Sequence, residues 1–121
     1  MQPLSPQPQL RLAGVHMAEK NEDAAVQSLR KALQIKPDLL EAQRALIVLD
    51  LNGKRVEDAL NTARTVQKQR PKEAAGYLLE GDINALQKNW DNALTAYRIG
   101  MKQVNSPEFA IKLHSVLLAA G

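Results

Sequence analysis

His16 and His114 are the only imidazoles here, and they stand near opposite ends of the chain. In a repeating helical frame they fall at different positions of the first and last helices, so a histidine acid/base pair or a two-histidine metal site is not expected. Glu80, Asp82 and Asn84 cluster on one segment. Their i, i+2, i+4 spacing sends Asp82 to a different helix face from the other two, so they do not converge on a cation. Ser5, Ser28, Ser106 and Ser115 carry no nucleophile elbow, and the six glycines are scattered singly rather than gathered in a phosphate loop. With no cysteine, the sequence has no thiol nucleophile, disulfide or thiolate zinc site. These residues predict no catalytic group, no metal and no cofactor, and a chain that is not an enzyme.

Arg30, Arg64 and Arg98, joined by Lys68 and Lys102, form a basic ladder that invites a nucleic-acid reading. Asp23, Glu57 and Asp91 interleave with it two turns earlier on the same helices. The net charge is only +3 and aromatics are 3% of the chain, so neither a strong phosphate field nor a base-stacking platform is available. A solvated face or ion pairing between repeats is the expected role, and no nucleic-acid partner is predicted.

The elements that carry these residues follow from composition. The 121 residues include 17 Ala and 18 Leu, against 15 Val, Ile and Thr together, a balance that favours helix over strand. The longest apolar runs are five residues, 45–49 and 116–120. That is far short of the roughly 20 needed to span a bilayer, so no membrane span is expected in this chain. Residues 1–9 have neither a basic n-region nor an apolar h-region, so any export signal would lie outside this sequence. Pro3, Pro6 and Pro8 suggest a flexible lead-in over residues 1–7.

Sliding the sequence against itself by 34 residues aligns Lys20, Lys54 and Lys88. It also aligns Asp23, Glu57 and Asp91; Ala25, Ala59 and Ala93; Val26, Leu60 and Leu94; and the three arginines. Pro37 and Pro71 keep the same period. The repeats read 6–39, 40–73 and 74–107, with 108–121 as half of a fourth, within a single domain over 1–121. Inside a repeat, Ala25, Val26, Leu29, Ala32 and Leu33 make one apolar helical stripe, and Ala59, Leu60, Ala63 and Val66 make its counterpart. Breaks at Asn21, 52–53 and 88–89, and at Pro37, Pro71 and 106–107, predict helices at about 8–19, 22–35, 39–51, 55–69, 73–87, 90–103 and 107–120. Asp38 with Glu41 has capping-box spacing, and Ser106 before Pro107 and Glu108 offers an N-cap. Ala25, Ala59, Ala93, Ala32 and Gly100 are the expected points of closest approach between helices. The fold class predicted is all-α: a right-handed α-solenoid of antiparallel helix pairs, three repeats plus one terminal helix.

This pattern resembles the tetratricopeptide repeat over residues 6–121. The eighth residue of each repeat is small at Ala13 and Gly81, though larger at Ile47. The twentieth is alanine in all three, Tyr97 supplies the aromatic of the second helix, and Pro37 and Pro71 close repeats. Departures are Gln9 and Gln43 where Tyr77 is aromatic, the polar series His16, Asp50 and Asn84, and Glu80 in place of leucine. If Glu80 is buried as the resemblance implies, its carboxylate needs a partner. The resemblance also implies a concave face lined by the first helix of each repeat. That row would be Gln7, Leu10, Gly14 and Met17; then Glu41, Arg44, Val48 and Leu51; then Ala75, Leu78, Asp82 and Ala85; and finally Phe109, Lys112, Val116 and Ala119. The basic clamp with which some family members hold acidic C-terminal tails is not supplied by Leu10, Gly14, Glu41 and Ala45. The implied ligand is an apolar peptide or a partner's helix.

A narrower resemblance lies in residues 63–72, 76–82 and 110–114, which look like tetratricopeptide lipoproteins of the bacterial PEP-CTERM/exosortase system, linked to exopolysaccharide export and protein sorting. Such proteins are long arrays anchored by a lipidated cysteine, which would make this chain an internal or C-terminal piece with an extracytoplasmic location, periplasm or outer membrane. The function expected is a non-catalytic protein-interaction scaffold within a longer array. The competing expectation is a self-assembly module that associates weakly through residues 109–120.

Overall fold

The computed structural model describes residues 4–121 and is built of seven α-helices, with no strand among the described residues. They are α1 (Gln7–Ala18), α2 (Glu22–Ile35), α3 (Leu40–Asn52), α4 (Val56–Gln69), α5 (Ala75–Leu86), α6 (Trp90–Gln103) and α7 (Glu108–Ala120). Every expected helix is present, with ends within two residues of those read from the spacing. Residues 1–3 of the expected lead-in lie outside the described residues. Its last residue, Gln7, is already helical, its N–H donating to Ser5 Oγ at 3.2 Å.

The lysine ladder marks the corners within repeats. Lys20, Lys54 and Lys88 adopt φ of 61°, 62° and 58°, the left-handed conformation more often given to glycine. Two hydrogen bonds close each corner. The lysine N–H donates to the carbonyl three residues back (Met17, Leu51, Ala85), and the next N–H, of Asn21, Arg55 or Asn89, reaches back five residues to His16, Asp50 or Asn84. These are Schellman closures, and they satisfy carbonyls that the ending helix leaves unpaired. Asn21 then starts α2 by accepting the Ala24 N–H on its side chain at 3.3 Å.

Two expected caps differ. At α3 the N-cap residue is Leu39 and no side-chain cap bond forms, because the helix begins at Leu40, one residue too late for Asp38 to hold the cap position. Before α7, Ser106 Oγ accepts the Glu108 N–H at 3.4 Å, but Pro107 rather than Ser106 occupies the N-cap position.

The chain divides into two compact units, one ending at Ala59 and the other beginning at Leu60. In the first, α1 packs on α2 and α2 on α3 around an aliphatic core. Its buried members are Ala13, Ala25, Val26, Leu29, Ala42, Leu46 and Leu49. In the second, α5 packs on α6 and α6 on α7 around Tyr77, Tyr97, Phe109, Ala93, Leu94 and Val116. Ala25, Ala32, Ala59 and Ala93 are fully buried, in keeping with close approach at those positions. Gly100 is buried against the ring of Phe109 and the Cβ of Tyr77, and Gly81 against the ring of Tyr97; a methyl group at either glycine would overlap these atoms.

The departures from the repeat pattern have structural partners. Gln43 is buried and its amide donates to the Pro37 carbonyl at 3.2 Å, while Tyr77, 34 residues on, donates its hydroxyl to the Pro71 carbonyl at 3.4 Å. The glutamine thus ties the interrepeat turn as the aromatic does. Glu80 has the partners its position demands. Its carboxylate accepts the Gln67 amide at 2.6 Å and pairs with Arg64 Nε at 3.5 Å, so one arginine of the basic ladder serves ion pairing between α4 and α5.

Candidate functional site

In the first unit, Glu41, Arg44 and Val48 are exposed on one stripe of α3, at i, i+3 and i+7. Leu51 is half-buried at the end of that stripe. On α1, Met17 is exposed, whereas Leu10 is half-buried and leans on the aliphatic core.

In the second unit the row is less uniform. Leu78 is half-buried against the core; Phe109 is fully buried and Val116 nearly so. Phe109 is therefore not a surface residue. The space above Gly100 draws its ring inward, and the burial of so large a side chain contributes about 2–3 kcal/mol. Asp82 and Lys112 remain partly exposed and meet across α5 and α7, with Lys112 Nζ 3.1 Å from Asp82 Oδ1. The same oxygen accepts the Tyr97 hydroxyl from α6 at 2.5 Å. Burial, and then the bond to Asp82, push the Tyr97 phenol well above its ordinary range, so it stays a neutral donor.

These three side chains border a cleft of about 450 Å³, open on one side. Leu86 and Ala85 of α5, Trp90 of α6, and Val116 and Ala119 of α7 supply its apolar walls, and Ser115 adds a hydroxyl. The volume falls within the range of small-ligand and side-chain pockets. The row carried over from the repeat pattern placed Ala85, Asp82, Lys112, Val116 and Ala119 together, and all five line this cleft. It missed Leu86, Trp90, Tyr97 and Ser115. Leu86 and Trp90 lie at the corner between α5 and α6, Tyr97 on a second helix and Ser115 beside the row on α7; the one signal was that the sole tryptophan directly follows a helix break.

Glu80, Asp82 and Asn84 make separate attachments. Glu80 turns to α4 and Asp82 to α6 and α7, while Asn84 is buried and donates its amide to the Glu80 carbonyl at 3.1 Å. Asp50, which replaces Asn84 one period earlier, is 1% exposed and is held by Arg55 Nε at 2.9 Å; Arg55 also donates to the Leu49 carbonyl at 3.3 Å. No group of three potential metal ligands occurs among the described residues. No helix among them is long and apolar enough to cross a membrane.

A family profile, Tetratricopeptide repeat, matches residues 16–83, more than half of the chain. The chain belongs to the tetratricopeptide repeat family. Among solved structures, the chain is similar to a thermophilic tetratricopeptide protein of Thermus thermophilus. That match has 20% identity and a TM-score of 0.48, over 97% of this chain and 84% of that one. No curated protein matches the sequence. In tetratricopeptide terms α1, α3, α5 and α7 are the first helices of successive repeats, and the cleft lies where α5 and α7 flank the second helix α6.

Proposed function

We propose that this tetratricopeptide chain is a non-catalytic scaffold for protein interaction, a segment of a longer array, that receives its partner on its first helices. The observation that supports it most directly is the cleft between α5, α6 and α7, which joins apolar walls to a partly exposed ion pair. The exposed α3 stripe of Glu41, Arg44 and Val48 offers a second contact surface of mixed character. A photo-crosslinking residue placed at Val48 or Leu86 tests the reading against one at Arg30, on a second helix. Crosslinked partner protein is expected from the first two positions; equal yield from all three sinks the assignment of the face.

The resemblance of residues 63–72, 76–82 and 110–114 supports a finer placement, in bacterial exopolysaccharide export and protein sorting of the PEP-CTERM/exosortase type. The location would then be extracytoplasmic, within a lipid-anchored protein. The first residues of the full gene product decide it: an export signal followed by a lipidated cysteine is expected, and their absence removes the placement while leaving the scaffold.

A second reading, self-association through 109–120, draws on α7. Ile111, Leu117 and Leu118 are 65%, 53% and 70% exposed on its outward side. Of an expected stripe of Phe109, Leu113, Val116, Leu117 and Ala120, Phe109 and Val116 turn into the core and Leu113 is half-buried, while Leu117 and Ala120 stay exposed beside Ile111 and Leu118. Light scattering over a concentration series, with Leu118→Glu as control, checks it: a monomer for both chains at high concentration rules it out.

A further inference from the structure

The corner at residues 50–55 is built unlike its counterparts one period away. Arg55 stands where the other corners have Asn21 and Asn89, and its guanidinium bonds the buried Asp50 carboxylate and the Leu49 carbonyl. That group lies over Gly53, where an added methyl would overlap it. The backbone does not ask for glycine there. Gly53 has φ −86° and ψ 7°, and Glu19 and Gln87 hold nearly the same angles at the matching places. Arg55 thus leaves no room for a side chain at 53, and the result is Asn52 followed by Gly53, the one asparagine-glycine pair in the sequence.

Such a pair has chemistry of its own. With no Cβ to shield it, the Gly53 nitrogen is open to reaction with the asparagine before it. Deprotonated, it attacks Asn52 Cγ: an N–Cγ bond forms, the Cγ–Nδ2 bond breaks, and the amide nitrogen departs as ammonia with the proton that Gly53 gave up. Water then opens the cyclic imide at either carbonyl carbon, leaving aspartate or isoaspartate. The Asn52 side chain is exposed and hydrogen-bonded to no described residue, so it is free to turn. The nitrogen is not. Its N–H donates to the Leu49 carbonyl at 3.0 Å, and the next two N–H groups, of Lys54 and Arg55, donate to Leu51 and Asp50 at 3.0 and 2.7 Å. Attack requires this turn to unwind, and the Arg55 bridge to Asp50 and Leu49 resists unwinding. We propose that Asn52 is a site of spontaneous deamidation whose rate is set by the pairing of Arg55 with Asp50, so that this corner carries a slow, one-way chemical change. The product places a carboxylate at the C-terminal end of α3, where the helix dipole disfavours it. Isoaspartate also adds a carbon to the backbone path that the three hydrogen bonds close.

The full chain is incubated at mildly alkaline pH and sampled over days by peptide mass spectrometry, with isoaspartate counted by enzymatic methylation of its carboxylate. Asn52 should convert before any other asparagine, and amide exchange at Lys54 and Arg55 should quicken in the isoaspartate product. Arg55→Gln, with helicity retained, should raise the rate at Asn52 about tenfold, since reaction follows the open fraction of a corner that has lost a charge-assisted bond. Arg55→Lys, which keeps the charge but not the planar group over Gly53, should fall between the two. The rate at Asn105, exposed before Ser106, should be the same in all three chains. Conversion of another asparagine before Asn52, or none at Asn52 over the full series, would overturn the site. An unchanged rate at Asn52 in both variants, or an equal acceleration at Asn105, would overturn the control by Arg55.

Discussion

The units before and after the Ala59/Leu60 boundary answer one 34-residue pattern with different interiors. All four aromatics, Tyr77, Trp90, Tyr97 and Phe109, belong to the second, and the core cluster of the first is aliphatic, made of Ala, Leu and Val. Large rings between helices at close approach need room, and the second unit provides it with Gly81 beneath Tyr97 and Gly100 beneath Phe109. The first unit has Ala13 and Ile47 at the places corresponding to Gly81, and no ring to accommodate. Ring and glycine therefore change together. The second unit's exchange also brings a phenol within reach of Asp82, beside the cleft, whereas in the first the exposed Val48 stands at the place of Asp82, and a buried Asp50 paired with Arg55 stands at that of Asn84.

The comparison can be broken most forcefully at Phe109. Phe109→Ala should destabilise by about 3–5 kcal/mol in thermal or denaturant melts, as expected for a ring lost from a packed site. Gly100→Ala should cost about 1–3 kcal/mol despite the better helix propensity of alanine, because the methyl meets Phe109 and Tyr77. If ring and glycine are one device, Phe109→Leu should relieve much of the Gly100→Ala penalty in a double-mutant cycle; simple additivity would show them to be independent.

Alkaline pH should separate the units next. Tyr97 has a raised pKa in the folded chain, so the unfolded chain loses that proton first. Its contribution is therefore complete below the ordinary tyrosine value of about 10 and is lost progressively as pH rises from there through the folded value. Stability monitored by helicity should fall across that window, and more steeply than in Tyr97→Phe. Identical slopes would mean that the buried phenol is not responsible.

Smaller effects sharpen what the units share. Lys20→Gly, Lys54→Gly and Lys88→Gly should each stabilise by about 0.5–1 kcal/mol, since glycine adopts positive φ without steric cost. A loss at any one would show that its lysine side chain contributes something the backbone does not. Arg64→Ala should cost no more than about 1 kcal/mol, because the contact to Glu80 is long and the arginine is half exposed.

Helix number and register were legible because the apolar stripes recur at one spacing and every break carries a turn residue. The lysine ladder was visible as a spacing but not as a conformation, since positive φ ordinarily announces itself with glycine or asparagine. Phe109 and Val116 read as surface because the repeat pattern assigns their positions to the open face. What moved Phe109 inward was Gly100, on another helix, a tertiary relation that periodicity does not carry. The cleft was half legible for the same reason: its α5 and α7 residues share a period, but Trp90 joins them across a corner.

Those lysine corners also make the chain a gauge of its own local opening. Trypsin cuts after lysine, yet it must draw several residues into an extended strand within its cleft. At Lys20, Lys54 and Lys88 the backbone is wound left-handed and clasped by two hydrogen bonds, so exposure of the side chain does not present a cleavable segment. Cleavage at each waits on the fraying of the helix end that precedes it. The three nicks differ in fragment mass, so a single digestion time course would rank how readily each corner lets go.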